Sequence, residues 1–170
     1  MNNPVLVSDP TGLCAATNQF VEHYFFGNGS LDLGQMGLGG AFEGAPSVMG
    51  AVASFESSIL AQGASLAGSL CAGQKSGTQV AVFSSESQPI TDVTDVPCLF
   101  SVGHSTFFER GTSTMVADCC SHKFTIRSLE HYYIKDRFAD PIGWGFELPG
   151  GHPYPINYDF YRSRTANGTF

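Results

Sequence analysis

Residues 47–72, SVMGAVASFESSILAQGASLAGSLCA, limit the fold more than any other stretch of this chain. Val48, Val52, Phe55, Ile59, Leu66 and Leu70 recur at three-to-four spacing, which lines them up along one side of a helix of roughly seven turns. Ser47, after Pro46, suits the N-cap, and Gly73 suits the stop. The other face is Ala, Ser and Gly, with Glu56 as its one charge. A helix side that faces water normally carries more charge than this. Two fates fit such a segment. One is burial on most sides in the core. The other is assisted entry into a bilayer, where small residues let helices approach closely. Its length suits a hydrocarbon core, but its hydrophobicity is too low for autonomous insertion. In that alternative Val52, Phe55, Ile59 and Leu66 are the inserting residues.

Upstream, NQFVEHYFF at 18–26 reads as a short helix with Phe20, Val21, Tyr24 and Phe25 on one face, followed by a glycine-rich connector over 27–46. Glycine density of that kind predicts a flexible or loosely packed linker. Downstream, residues 77–165 read as mostly β: QVAVFS at 79–84, CLFSV at 98–102, TMVA at 114–117, KFTIR at 123–127 and HYYI at 131–134. Turn signals follow at Asp140-Pro141, Pro149-Gly150-Gly151 and His152-Pro153. The expected fold class is α+β, with N-terminal helices, one long and rich in small residues, beside a mostly antiparallel sheet.

Composition narrows the partners. Eight Lys and Arg against fifteen Asp and Glu leave a net charge of −7, which disfavours a nucleic acid gripped through its phosphates. The opening residues MNNPVLVSDP lack the basic start and apolar run of a secretory signal peptide. Five cysteines, Cys14, Cys71, Cys98, Cys119 and Cys120, show no C-x-x-C spacing, so buried or free thiols are expected rather than a zinc site or a disulfide framework.

Residues 4–13 carry the most specific signal. PVLVSDPTGL is a short apolar run, Val5-Leu6-Val7, ending in a turn at Asp9-Pro10-Thr11-Gly12, where Pro presets φ and Gly tolerates positive φ. As P-x-x-x-x-D-P-x-G-L, preceded by Asn2-Asn3, it resembles the end of the core of Rhs/YD-repeat polymorphic toxins. The resemblance covers under a tenth of the chain. It implies that residues 1–13 end a large β-cocoon and that 14–170 are a toxin domain. It also implies aspartyl self-cleavage between Leu13 and Cys14, with Asp9 as one of two acidic participants. The second lies upstream in the core, so this chain is not expected to cut itself. The family further implies interbacterial competition, a cognate immunity protein, and delivery from the producer's cytoplasm into a target bacterium, often by a type VI secretion system. Such tips are exchanged between unrelated activities, so the carrier does not fix the chemistry.

For chemistry, the densest polar stretch runs from Asp136 to Asp159. Asp136, Asp140, Glu147 and His152 supply the paired carboxylates and imidazole that acid–base catalysis needs, with Arg162 and Arg164 nearby in sequence. Gly103-His104-Ser105-Thr106-Phe107 lacks the second Gly of a nucleophile elbow. His104-Ser105-Thr106, Thr112-Ser113-Thr114, Tyr132-Tyr133 and Glu147, in that order, faintly resemble ADP-ribosyltransferases, with compressed spacing. Asp136 and Asp140 near an Arg-bearing end are similar to toxins that cleave envelope lipid intermediates, without that family's full pattern. His104, Asp136, Asp140, Glu147 and His152 are therefore the catalytic candidates of an enzyme, transferase or hydrolase. The alternative is a membrane-perturbing toxin using the 47–72 helix. His23, His122 and His131 read as structural. No metal site is expected, and no cofactor is indicated.

Overall fold

In the computed structural model, residues 15–74, 76–89, 106–138 and 149–170 are described. The elements are α1 (Ala15–Phe26), β1 (Leu31–Asp32), α2 (Gly39–Glu43), α3 (Pro46–Cys71), β2 (Thr78–Glu86), β3 (Thr106–Asp118), β4 (Lys123–Phe138) and β5 (Tyr154–Thr169). The strands form one sheet in the order β1-β5-β4-β3-β2. It is mostly antiparallel, with β2 against β3 in that sense and the two-residue β1 parallel to β5. The protein is therefore an α+β fold. The described residues divide into two compact units. One gathers α1, β1, α2 and residues 135–138 and 154–158. The other gathers α3 from Met49, β2, β3 from Phe107, β4 up to Ile134 and β5 from Asp159.

The first unit is held by aromatic rings. Phe20 and Tyr24, four apart on α1, meet Phe138 with ring centroids 5.8 and 5.7 Å away, and Phe138 stacks on Tyr154 at 5.2 Å. The buried Tyr154 hydroxyl donates to the Phe20 carbonyl at 2.8 Å, and its burial pushes its pKa up. The connector at 27–46 is built structure rather than loose linker. β1 pairs with Leu31 opposite Ile156, and Leu33, Leu38 and Phe42 are buried. The Tyr158 hydroxyl donates to Glu43 Oε1 at 2.6 Å across this unit. A Cβ at Gly39 would collide with the Tyr158 ring, so glycine here admits a close approach that any side chain would block.

In the second unit the stripe of α3 behaves as expected for four turns and then shifts. Val52, Phe55 and Ile59 are 2–3% exposed, but the buried positions that follow are Gly63, Ala67 and Cys71. Leu66 and Leu70 are only half-buried. The cause is closeness: a Cβ at Gly63 would strike Ile126 Cδ1, so the last turns meet the sheet through small residues. Cys71 and Cys119 form a disulfide with Cα atoms 5.3 Å apart, joining the end of α3 to the end of β3. This corrects the expectation of free thiols, which rested on sequence spacing where pairing depends on spatial distance. Cys120 is a free, exposed thiol. Glu56, the one charge of the helix, pairs with Arg164 of β5 at 2.8 Å.

Strand lengths also exceed the sequence expectation. The short runs at 114–117 and at 123–127 and 131–134 belong to strands of 13 and 16 residues. Residues 154–169, where the mostly β reading of 77–165 named no individual strand, are a further 16-residue strand. The run at 98–102 lies outside the described residues.

Candidate functional site

Strict alternation along β3 and β4 buries Phe107, Glu109, Ser113 and Met115, and Ser128, Glu130, Tyr132 and Ile134. Their neighbours Phe108, Arg110, Thr112, Leu129, His131 and Tyr133 must then stand on the outer face. β5 adds Asp159 and Tyr161 to that face, and β2 adds Ser84 and Glu86, the latter registered opposite Arg110. The strands thus bring together side chains from four sequence regions.

His131 is the centre of the group. Its Nε2 lies 3.2 Å from Asp159 Oδ2, while Nδ1 receives Arg110 Nε and NH2 at 3.2 and 3.1 Å. A guanidinium only donates, so Nδ1 carries the lone pair and Nε2 carries the proton given to Asp159. The ring lies parallel to Tyr161 at 4.3 Å and stacks on Tyr133 at 5.0 Å. Arg110 also sits over the Tyr133 face, 5.0 Å from its centroid. These contacts fix both the tautomer and the plane of the imidazole. An open groove of about 520 Å³ runs beside it, lined by Ser84, Glu86, Arg110, Thr112, His131 and Tyr161 among others. The His131 side chain is 18% exposed and that of Asp159 53%, so solvent and solutes reach the pair.

Directly behind, the inner face holds a second polar group. Glu130, fully buried, accepts from the Ser128 hydroxyl at 2.5 Å and from the Tyr132 hydroxyl at 2.6 Å. Burial raises the Tyr132 pKa, and Glu130 adds to this by hydrogen bond and charge. Glu109 is 3% exposed, and its Oε1 has no hydrogen-bond partner among the described residues. Burial holds its carboxyl above the usual range; the Ser87 hydroxyl opposes this, and the charge of Glu130 adds to it. The carboxyls lie on the α3 side of the sheet, shut away from solvent.

Of the catalytic candidates read from sequence, His104, Asp140 and Glu147 lie outside the described residues, as do Asp9, Leu13 and Cys14 of the cleavage motif. Asp136 is on β4, with Oδ1 accepting the Arg137 backbone N–H at 2.7 Å. His152 is exposed and is tied through its backbone N–H to the Tyr24 carbonyl at 2.8 Å. Its ring makes no hydrogen bond among the described residues, so it is not joined to Asp136. Of the membrane-insertion candidates, Val52, Phe55 and Ile59 are consumed by core packing, and Leu66 is half-buried. No helix among the described residues is long and apolar enough to cross a membrane, which says nothing of crossing by strands. Among the same residues no group of three His, Cys, Asp or Glu could hold a metal ion.

Sequence reasoning passed over His131, Asp159 and Arg110 as a group. The alternation in KFTIRSLEHYYI does place His131 outward with Leu129 and Tyr133, but nothing in it names the neighbours across the strands. No protein family, no curated protein and no solved structure matches the chain.

Proposed function

We propose that this protein is the toxin tip of an Rhs-type effector, delivered into a competing bacterium, and that it is an enzyme whose acid–base group is His131. The carrier assignment is supported by PVLVSDPTGL at residues 4–13. A cognate immunity protein and a secretion apparatus are the partners that this assignment entails. The activity rests on one observation: an accessible imidazole held between a carboxylate and a guanidinium beside an open groove. In this reading Asp159 keeps the proton on Nε2 and stabilises the imidazolium that forms when Nδ1 takes a proton from an attacking hydroxyl or water. The proton then passes to the leaving group, so the cycle closes. Transfer and hydrolysis differ only in which hydroxyl attacks. The Cys71–Cys119 bridge supports action beyond the producer's cytoplasm, because disulfides persist in oxidising compartments.

The test is induction of the full chain in bacteria, as cytoplasmic and periplasm-directed versions, with growth and membrane potential followed together. Growth arrest with the potential held, lost in His131→Asn and Asp159→Asn variants that keep the wild-type circular dichroism, supports the reading. Rapid depolarisation that persists in both variants overturns it in favour of a membrane-perturbing toxin.

A further inference from the structure

Arg110 makes an unusual use of its charge. Nε and NH2 both point at the single Nδ1 lone pair of a neutral imidazole, and NH1 has no hydrogen-bond partner among the described residues. A guanidinium fork matches an oxyanion bidentately with both partners charged, whereas Nδ1 offers its two donors one lone pair on an uncharged ring. An anion entering the groove therefore competes well for Arg110. As it does so, it strips the donors from His131 Nδ1 and leaves that lone pair free. Arg110 is both an anchor and a cover for the base.

The surroundings say what else the ligand carries. Tyr161 is 60% exposed, with its ring parallel to His131 at an interplanar angle of 6°, which extends a flat platform into solvent. Stacking on such a platform suits any planar heterocycle. Ser84 and Thr112, opposite each other in the β2–β3 register, present hydroxyls beside Arg110. Glu86, opposite Arg110, accepts hydrogen bonds and repels a second negative charge. Asp159 and the net charge of −7 act in the same direction. The groove's 520 Å³ lies within the range of about 300–1,000 Å³ usual for small-molecule sites.

Resting on the proposed role of His131, we infer that the site takes a mononucleotide: one phosphate on Arg110, a base on Tyr161 and sugar hydroxyls toward Glu86, with the phosphate uncovering His131 Nδ1. A nucleic-acid strand fits poorly, since each further phosphate meets the acidic surroundings.

The experiment uses the full chain with ¹⁵N-labelled histidine and tyrosine, titrated separately with adenosine monophosphate, adenosine, inorganic phosphate and a short single-stranded DNA. Adenosine monophosphate is expected to shift His131 Nδ1 and Tyr161 saturably. Phosphate alone should move Nδ1 more weakly, and adenosine should bind about tenfold more weakly or worse. In Arg110→Gln the nucleotide affinity should fall about tenfold or more, while in Tyr161→Ala the Nδ1 response to phosphate should survive. Both side chains are on the exposed face, so these variants should fold. No response to any ligand, equal responses to nucleotide and nucleoside, tighter binding of the DNA, or an unchanged Arg110→Gln each overturns the inference. Loss of toxicity in His131→Asn without nucleotide binding sinks this inference alone. Retained toxicity in that variant sinks the catalytic reading itself.

Discussion

Glu109 and Arg110 are adjacent in sequence, as are Glu130 and His131, yet each pair is split between two worlds. One member faces α3 in a dry layer and the other faces water. On the inner side Glu130 is fully enclosed with two hydroxyl donors, and Glu109 has an oxygen with no hydrogen-bond partner among the described residues. On the outer side Arg110, His131 and Asp159 form a chain of contacts of 3.1–3.2 Å in reach of solvent. The chemistry of the two layers is similar, with carboxylates and their donors. Access separates them, and with it the consequences of mutation: inner-face changes should act on stability, and outer-face changes on activity.

Glu130 carries the largest expected effect on stability. Glu130→Ala should cost about 3–5 kcal/mol, from the space it leaves and from two buried hydroxyls without an acceptor. Urea unfolding measures it, and a cost below about 1 kcal/mol would mean that the inner layer is wet. Next in size is the bridge at 71–119, which closes a loop of sequence separation 48. Replacing both cysteines by Ala should lower stability by roughly 2–4 kcal/mol, read as a drop in Tm, while nucleotide binding on the outer face is retained.

Glu109 sharpens the contrast through pH. Its folded-state pKa is raised above the ordinary 4.5, so the folded protein still holds a proton that the unfolded chain has released. That contribution to stability is present at low pH and is lost as pH rises from about 4.5 through the raised value. Glu109→Gln should flatten this decline, as seen in unfolding curves collected across the acid range. The smallest effect on folding is expected at Asp159, whose side chain is 53% exposed. Asp159→Asn should change stability by less than about 1 kcal/mol, yet abolish growth arrest. A large loss of stability there would make the outer group structural and erase the difference between the faces.

Much of this arrangement is written locally. Fold class, the long helix and the separation of faces along β3 and β4 follow from periodicities of 3.6 and 2, and these are properties of residues close together in the chain. The connector at 27–46 shows the limit. Its glycines read as looseness, but Gly39 serves a close approach to Tyr158, more than a hundred positions away. The same limit explains the shift along α3. Leu66 and Leu70 complete the apolar pattern, but the sheet comes too close for them and takes Gly63, Ala67 and Cys71 instead.

The candidate site is the extreme case. That His131 points outward is legible in KFTIRSLEHYYI, and that Asp159 and Tyr161 point outward is legible in YPINYDFY. That these residues touch is not. Alternation assigns a side chain to a face, whereas strand order and register assign its neighbours, and those depend on pairing between segments far apart in the chain. What this protein can bury is set by the order of apolar and polar residues along each segment. Which charges meet is set by how the strands pair. A face is a property of one strand, while a site needs three.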